Sequence, residues 1–378
     1  MEELSIWEKE SFYSAQDIII VGSGFTGLWS ALHLKLLNPH FKITILERGL
    51  IPAGASTRNA GFSCFGSPSE LIADAKEIGE ENMWRLVDMR YKGSIEIRNF
   101  FSDEEIGYDT CGGYECYMQN SETWKACIGK LAWLNEGLKL ITGYENVFGR
   151  ADEKLAEFGF AGFGHIIENK LEGGLHPAKL VQALFRKVQG LGVQVLTGMP
   201  VMSYKEMNDH IEVITPHVTI SASQLLLCTN AFTGNLVPTI DIIPNRGQVL
   251  ITAPVKGLAF RGTFHFDRGY YYFRNLGNRL LIGGARNKGL TEENTTVMKS
   301  TPAIQNELES FIRRHLLPST EFVVTDKWSG IMAMGIEKLP IIKAISEKVF
   351  CCVRMSGMGV ALAPIAARQA VQLMTSGN

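Results

Sequence analysis

The sequence predicts an α/β protein in which a Rossmann-type parallel sheet is combined with a second, strand-rich segment. Three observations predict it. Ile18-Ile19-Ile20-Val21 sets four β-branched residues in a row before a glycine, as in a parallel strand buried on both faces. Leu225-Leu226-Leu227-Cys228 repeats that character, and Val349–Val353 gives another strand. Residues 245–330 add strands at 247–253, 265–266, 270–274 and 279–284. At 378 residues the chain exceeds what one core usually fills, which implies two domains or one domain with a large insertion.

After Val21 a helix is expected at once. Gly22 permits the tight turn, Gly24 lets a pyrophosphate approach the backbone, and Gly27 lets the helix pack close on the strand, so that phosphates meet the helix N-terminus. The helix runs through Leu28, Ala31, Leu32, Leu34 and Lys35 and stops before Pro39; residues 41–46 make the second strand. Glu47 ends it. A carboxylate there can accept from both ribose hydroxyls and would repel a 2′-phosphate, so the expected ligand is FAD or NAD rather than NADP.

Composition excludes several classes. The chain is 46% hydrophobic and 20% charged with 38 glycines, and its formal net charge is −2 without a Lys/Arg cluster, which leaves no footprint for nucleic acid. MEELSIWEKE reads as neither a signal nor a transit peptide, and no apolar run reaches about 18 residues without a charge or proline, so no transmembrane helix is expected. Seven cysteines without CxxC or metal-like spacing imply free thiols, a reducing compartment and a cytoplasmic location.

Taken in order, residues 1–16 read as an arm on the surface. The run 54–61, Gly-Ala-Ser-Thr-Arg-Asn-Ala-Gly, is either a solvent loop or a donor-rich loop suited to a diphosphate. Residues 68–106 look helical, with a further helix at 121–140. Pro177 suits the first turn of a helix carrying Leu180, Leu184 and Val188, and His176 before it reads as a capping or surface histidine. A strand follows at 190–195, antiparallel strands at 211–220, and Thr229-Asn230-Ala231 end the Leu225 strand where ligands sit in such sheets. Cys228 reads as a packed core residue. Strand alternation puts Tyr270, Tyr272 and Arg274 on one face, which is either an aromatic core or a substrate wall. Residues 301–317 make a helix, and Trp328-Ser329-Gly330 begins a turn-rich stretch. Arg354-Met355-Ser356-Gly357-Met358-Gly359 turns into a helix over 360–374, whose positive end either stabilises negative charge or is simply capped.

Together GSGFTG with Glu47, GASTRNAG, GGLHPAKLVQAL, LLLCTNAF, YYYFRNLGNRLLIGG, WSGIMAMGIEKLP and SGMGVALAP follow the order found in the D-amino-acid oxidase/glycine oxidase (DAO) superfamily of FAD-dependent oxidoreductases, over about residues 15–376. The GAS-x-RN-x-G and W-x-G…LP forms most resemble its γ-glutamylputrescine oxidoreductase-like branch. The resemblance implies a glutathione-reductase-type FAD-binding Rossmann domain (15–67, 173–232 and 328–376) interleaved with an antiparallel-sheet substrate domain (68–172 and 233–327).

It also implies noncovalent FAD held by Gly22, Gly24, Phe25, Thr26 and Gly27 at the diphosphate and Glu47 at the ribose, with Arg48 beside the adenosine and Val201 at adenine. Ser56, Thr57, Arg58, Asn59, Ala60 and Gly61 would approach diphosphate and flavin, Thr229, Asn230 and Gly330 would lie by the cofactor, and Gly357, Met358, Gly359 and Val360 would face the pyrimidine edge. Amino-acid oxidases of the superfamily usually carry a carboxylate-clamping arginine two residues after the W-x-G glycine; here that residue is Met332. Tyr270, Tyr272, Arg274 and Met332 are the pocket candidates. The implied reaction is oxidation of a C–N bond in a small amine or amino acid, by hydride transfer to flavin, with O2 or a redox partner as acceptor. The alternatives are a pyridine-nucleotide-linked flavoprotein reductase, for which no second GxGxxG occurs, and a nonenzymatic FAD-bearing assembly protein.

Overall fold

In the computed structural model, which describes residues 3–376, the chain divides into two compact units. The first comprises residues 1–57, 177–244 and 332–378; the second comprises 58–176 and 245–331.

The first unit is built on a sheet whose central strands are parallel, in the order Val349–Val353, Thr219–Leu227, Gln16–Val21, Ile43–Leu46, Gln194–Leu196. The register sets Val21 beside Leu46 and Leu227, and Leu227 beside Cys351, so these strands end along one edge. The strand Thr219–Leu227 has two partners end to end on one side. Its first half pairs antiparallel with Ile211–Ile214, and its second half pairs parallel with Val349–Val353.

Alternation divides the side chains between the faces. Ile19, Val21, Leu225, Leu227, Val349, Cys351 and Val353 enter one apolar cluster with Ile211, Val213, Val237 and Ile240. The helix Phe25–Leu37 packs on the helices Pro177–Gly190 and Gly359–Thr375, and His33 Nε2 lies 3.0 Å from the carbonyl of Pro364. Its Leu28, Leu32 and Leu34 are fully buried, each stabilising by ~1.5–3 kcal/mol. The strand expected at 190–195 is shorter and later, Gln194–Leu196, because Gly190 is the last residue of the preceding helix and Gly192 turns with φ +82°.

The second unit is built on an eight-stranded sheet in the order Val324–Met334, Ile243–Thr252, Arg279–Gly284, Tyr271–Leu276, Thr263–Phe266, Gly113–Met118, Phe163–Asn169, Phe148–Arg150. From Ile243–Thr252 onward its pairings are antiparallel except between Thr263–Phe266 and Gly113–Met118. One cluster centres on Phe264, Phe273, Ile282 and Phe311; a second, under the helices Glu80–Phe100 and Glu122–Thr142, holds Met83, Val87, Leu134 and Leu138. Trp328-Ser329-Gly330 does not start a turn. It lies inside the strand Val324–Met334, and the turn begins only at Gly335. Small residues there fit an edge strand as well as a turn, and the partner strand lies far away in sequence.

Candidate cofactor and substrate site

Four segments leave the carboxyl edge of the parallel sheet: Gly22–Gly24, Glu47–Arg48, Cys228–Asn230 and Arg354–Gly359. Gly22 has φ +103°, and a Cβ on Gly27 would lie 2.0 Å from the Gly22 carbonyl oxygen. Only glycine lets the helix Phe25–Leu37 start this close to its strand. A Cβ on Gly24 would meet Ser56 Oγ at 2.9 Å, and that hydroxyl accepts from Phe25 N–H at 2.9 Å.

The helices beginning at Phe25 and Gly359 share a feature. Neither receives a side-chain cap from its own N-cap residue, and neither has an acidic residue in its first turn. The helices at Glu80, Asp103 and Glu122 do place carboxylates there. A helix N-terminus carries roughly half a positive charge and N–H groups without intrahelical partners, so these two ends can take an anion, although Phe25 N–H already meets Ser56 Oγ. One strand, Thr219–Leu227, stands between the two strands feeding them, a separation of about 10 Å.

Side chains complete this edge. Glu47 is buried; its Oε2 accepts from Ser23 N–H (3.0 Å) and Ser23 Oγ (2.7 Å), and Oε1 accepts from Gly49 N–H (2.9 Å). The carboxylate therefore braces the glycine turn, and with about four acceptor positions it retains capacity beyond those three donors. Arg48 lies over the Phe232 ring, 3.7 Å from its centroid. Met199 N–H donates to the Glu47 carbonyl, which sets Val201 near that strand end, packed against the apolar cluster. Thr229 Oγ1 pairs with Thr233 Oγ1 at 2.9 Å. Burial pushes the Cys228 thiol far up, as suits a core residue.

Three residues on this edge hold unusual backbone for an L-residue, Asn230 (φ 46°), Arg354 (φ 63°) and Ser356 (φ 47°). The buried Asn230 Oδ1 and Ser356 Oγ find no partner within the chain, a cost of ~1–3 kcal/mol each that a ligand would relieve. Gly357 has φ +82°, and Met332 Sδ lies 3.5 Å from where its Cβ would stand. Arg354 donates to Leu339 O and Asp241, tying down the loop that leads to Gly357.

Of the loop 54–61, Thr57 Oγ1 donates to Pro52 O (2.7 Å) and Asn59 Oδ1 accepts from Gly61 N–H (2.8 Å). Within the second unit, Arg58 Nη1 donates to Ser329 O (3.1 Å), and Trp328 Nε1 donates to Arg58 O (2.9 Å). Gly330 is buried in the same strand. Ala60 packs with Val249, Ile251, Leu281, Phe62, Tyr272 and Trp328.

The pocket candidates of the second unit separate. Tyr272 joins that small cluster, with its ring over Gly283, where a Cβ would come within 2.4 Å. Tyr270 packs instead with Tyr271 and Phe273 and lies 5.2 Å from Arg286. Strand alternation does not reach it, because Asp267, Arg268 and Gly269 turn with positive φ and the strand begins at Tyr271. Arg274 is buried and donates through Nη1 to Gly61 O (3.0 Å) and Leu175 O (3.1 Å) and through Nε to Asn275 O (3.2 Å). Burial pulls its pKa down. Its N–H groups clamp main chain.

The sequence reading missed His265. This buried ring has no partner on either nitrogen, meets Phe62 edge-on at 5.2 Å, and has its pKa brought down to about 4, mainly by burial. Its position on a strand was legible, its lack of partners was not.

This architecture defines a two-unit flavoprotein, with a nucleotide-binding parallel sheet and a separate, largely antiparallel one. A family model described as FAD dependent oxidoreductase (DAO) matches residues 17–373, and the chain belongs to that family. FAD is the family's cofactor, and the glycine turn, the two open helix ends and the orphaned polar atoms fit it. The chain is 24% identical to a probable oxidoreductase OrdL of Haemophilus influenzae, over 93% of this chain and 81% of that protein. It is 24% identical to the γ-glutamylputrescine oxidoreductase of Escherichia coli, over 95% and 83%. The structure of glycine oxidase from Geobacillus kaustophilus superposes with a TM-score of 0.77 at 18% identity, over 96% of this chain and 95% of that one, which shows the shared fold. Among the described residues no helix is long and apolar enough to cross a membrane, and no cluster of potential metal ligands occurs.

Proposed function

We propose that this oxidoreductase oxidises the C–N bond of a small amine, with an α-amino acid as the less favoured substrate class. The observation that carries the choice is the fate of the cations: Met332 stands two residues after the W-x-G glycine, and Arg274 is engaged by main-chain carbonyls. An α-carboxylate would leave water without that clamp, which costs heavily for an unpaired charge. The similarity to γ-glutamylputrescine oxidoreductase supports the same class.

In this reading the helix ends at Phe25 and Gly359 hold the negative charge of FAD, Glu47 takes the ribose, and Asn230 and Ser356 gain partners. Bound FAD supplies the acceptor for a hydride from the carbon bearing nitrogen, and the imine product hydrolyses to a carbonyl compound. The protein's part is to orient the amine, exclude water and favour the uncharged amine by desolvation. The FAD is held noncovalently in this reading, so heat denaturation should release the flavin. The seven free thiols support a reducing compartment.

Anaerobic addition of amines and N-methyl amino acids to the yellow purified protein tests the proposal. Bleaching by amines supports it. Bleaching by NADH alone, or by nothing offered, would overturn it in favour of a reductase or of a nonenzymatic FAD protein. Admitting O2 afterwards distinguishes an oxidase, which recolours quickly, from a dehydrogenase.

A further inference from the structure

One row of side chains crosses the second unit's sheet. Cross-strand register sets Glu115 beside His265, His265 beside Tyr272, Tyr272 beside Gly283, and Gly283 beside Val249, and partners in register share a face. Glu115 is held by Ser69 N–H, Ser69 Oγ and the Tyr117 hydroxyl. The Tyr272 ring lies over Gly283, and Val249 is apolar. His265 alone in the row keeps buried polar atoms without a partner, at both ring positions. Phe62 stands edge-on to it at 5.2 Å and to Tyr272 at 6.0 Å. Gly269 lies beside Nδ1, where even an added Cβ would stay 3.8 Å away.

We propose that His265, flanked by Phe62 and Tyr272, is a substrate-contact residue whose imidazole accepts a hydrogen bond from the uncharged nitrogen of an amine carried on an apolar or aromatic group. This rests on the amine-oxidation reading above and deepens it. A neutral imidazole offers one acceptor and one donor. Burial, partly countered by Glu70 and reinforced by Arg90, keeps the ring neutral near pH 7. An ammonium ion in this aromatic surround would lose its hydration, whereas a neutral amine gives the ring an N–H and keeps its lone pair. The cross-strand pair of His265 and Tyr272 thus selects the protonation state that oxidation requires, and the aromatic rings select the substituent.

The test uses the FAD-loaded protein with benzylamine. Wild type, His265→Phe and His265→Asn are compared for flavin content, for the benzylamine concentration that half-saturates anaerobic bleaching, and for histidine ring resonances in 15N-histidine-labelled protein. His265→Phe should keep its flavin and raise the half-saturating concentration about tenfold; His265→Asn, which restores an acceptor, should recover most of that loss. The ring resonances missing from His265→Phe should shift in wild type on adding benzylamine. Wild-type saturation in His265→Phe, or ring resonances that do not move, would overturn the proposal while leaving amine oxidation standing. Resonances that move without bleaching would support amine contact, and the oxidation reading is overturned if the whole panel of amines above also fails to bleach; still resonances together with that failure would overturn both.

Discussion

At the carboxyl edge of the parallel sheet the helices beginning at Phe25 and Gly359 present their positive ends, with no acidic side chain in either first turn. In the second unit three buried arginines are already matched within the chain. Arg246 meets Glu293 through Nε (2.8 Å) and Nη2 (2.9 Å), Arg90 meets Glu70 (3.1 Å), and Arg274 meets carbonyls. The first region keeps helix ends without acidic side chains, and the second matches its buried arginines with its own carboxylates and carbonyls.

Four measurements sharpen or break that contrast. Gly27→Ala forces a Cβ to within 2.0 Å of the Gly22 carbonyl oxygen, so the helix end must retreat; flavin absorbance per protein should fall at least about tenfold. Glu293→Ala leaves Arg246 buried and unpaired, and chemical denaturation should show ~3–5 kcal/mol lost, with flavin content nearly unchanged in the folded fraction. A loss under 1 kcal/mol would show that the second sheet does not depend on internal pairing.

Glu47→Gln weakens the brace on Ser23 and Gly49 as well as the ribose acceptor; fluorescence titration should give an FAD dissociation constant about tenfold to a hundredfold higher. The fourth measurement concerns Glu172, whose carboxyl burial raises from 4.5 to about 8. The folded chain keeps a proton there that the unfolded chain releases. That contribution is complete below pH 4.5 and is lost as pH rises to about 8. Glu172→Gln should flatten this decline, a change of several kcal/mol, up to about 5, across the window.

The features written in short stretches were legible. Gly22, Gly24 and Gly27 declare a strand, a turn and a helix within a few residues, because each constraint is local. The family, the FAD cofactor and the mixed fold followed from such motifs in order. What depended on distant partners was not legible. Gly330 resembles a turn residue until the strand Ile243–Thr252 is laid beside it. Tyr270 falls out of alternation because three preceding residues turn with positive φ. Arg274 looks available until Gly61 and Leu175 bring their carbonyls to it. Nothing near His265 in sequence reveals that both ring nitrogens go unmet; that follows from neighbours contributed by three other strands.

The strand Thr219–Leu227, with its two successive partners, also dictates an order of assembly. While a ribosome is still translating toward Val349, residues 225–227 have Ile19–Val21 on one side and a bare edge on the other. Such an edge invites pairing with foreign strands. A nascent chain stalled before Val349 should therefore need chaperone protection, and should be colourless, since the second helix end does not yet exist.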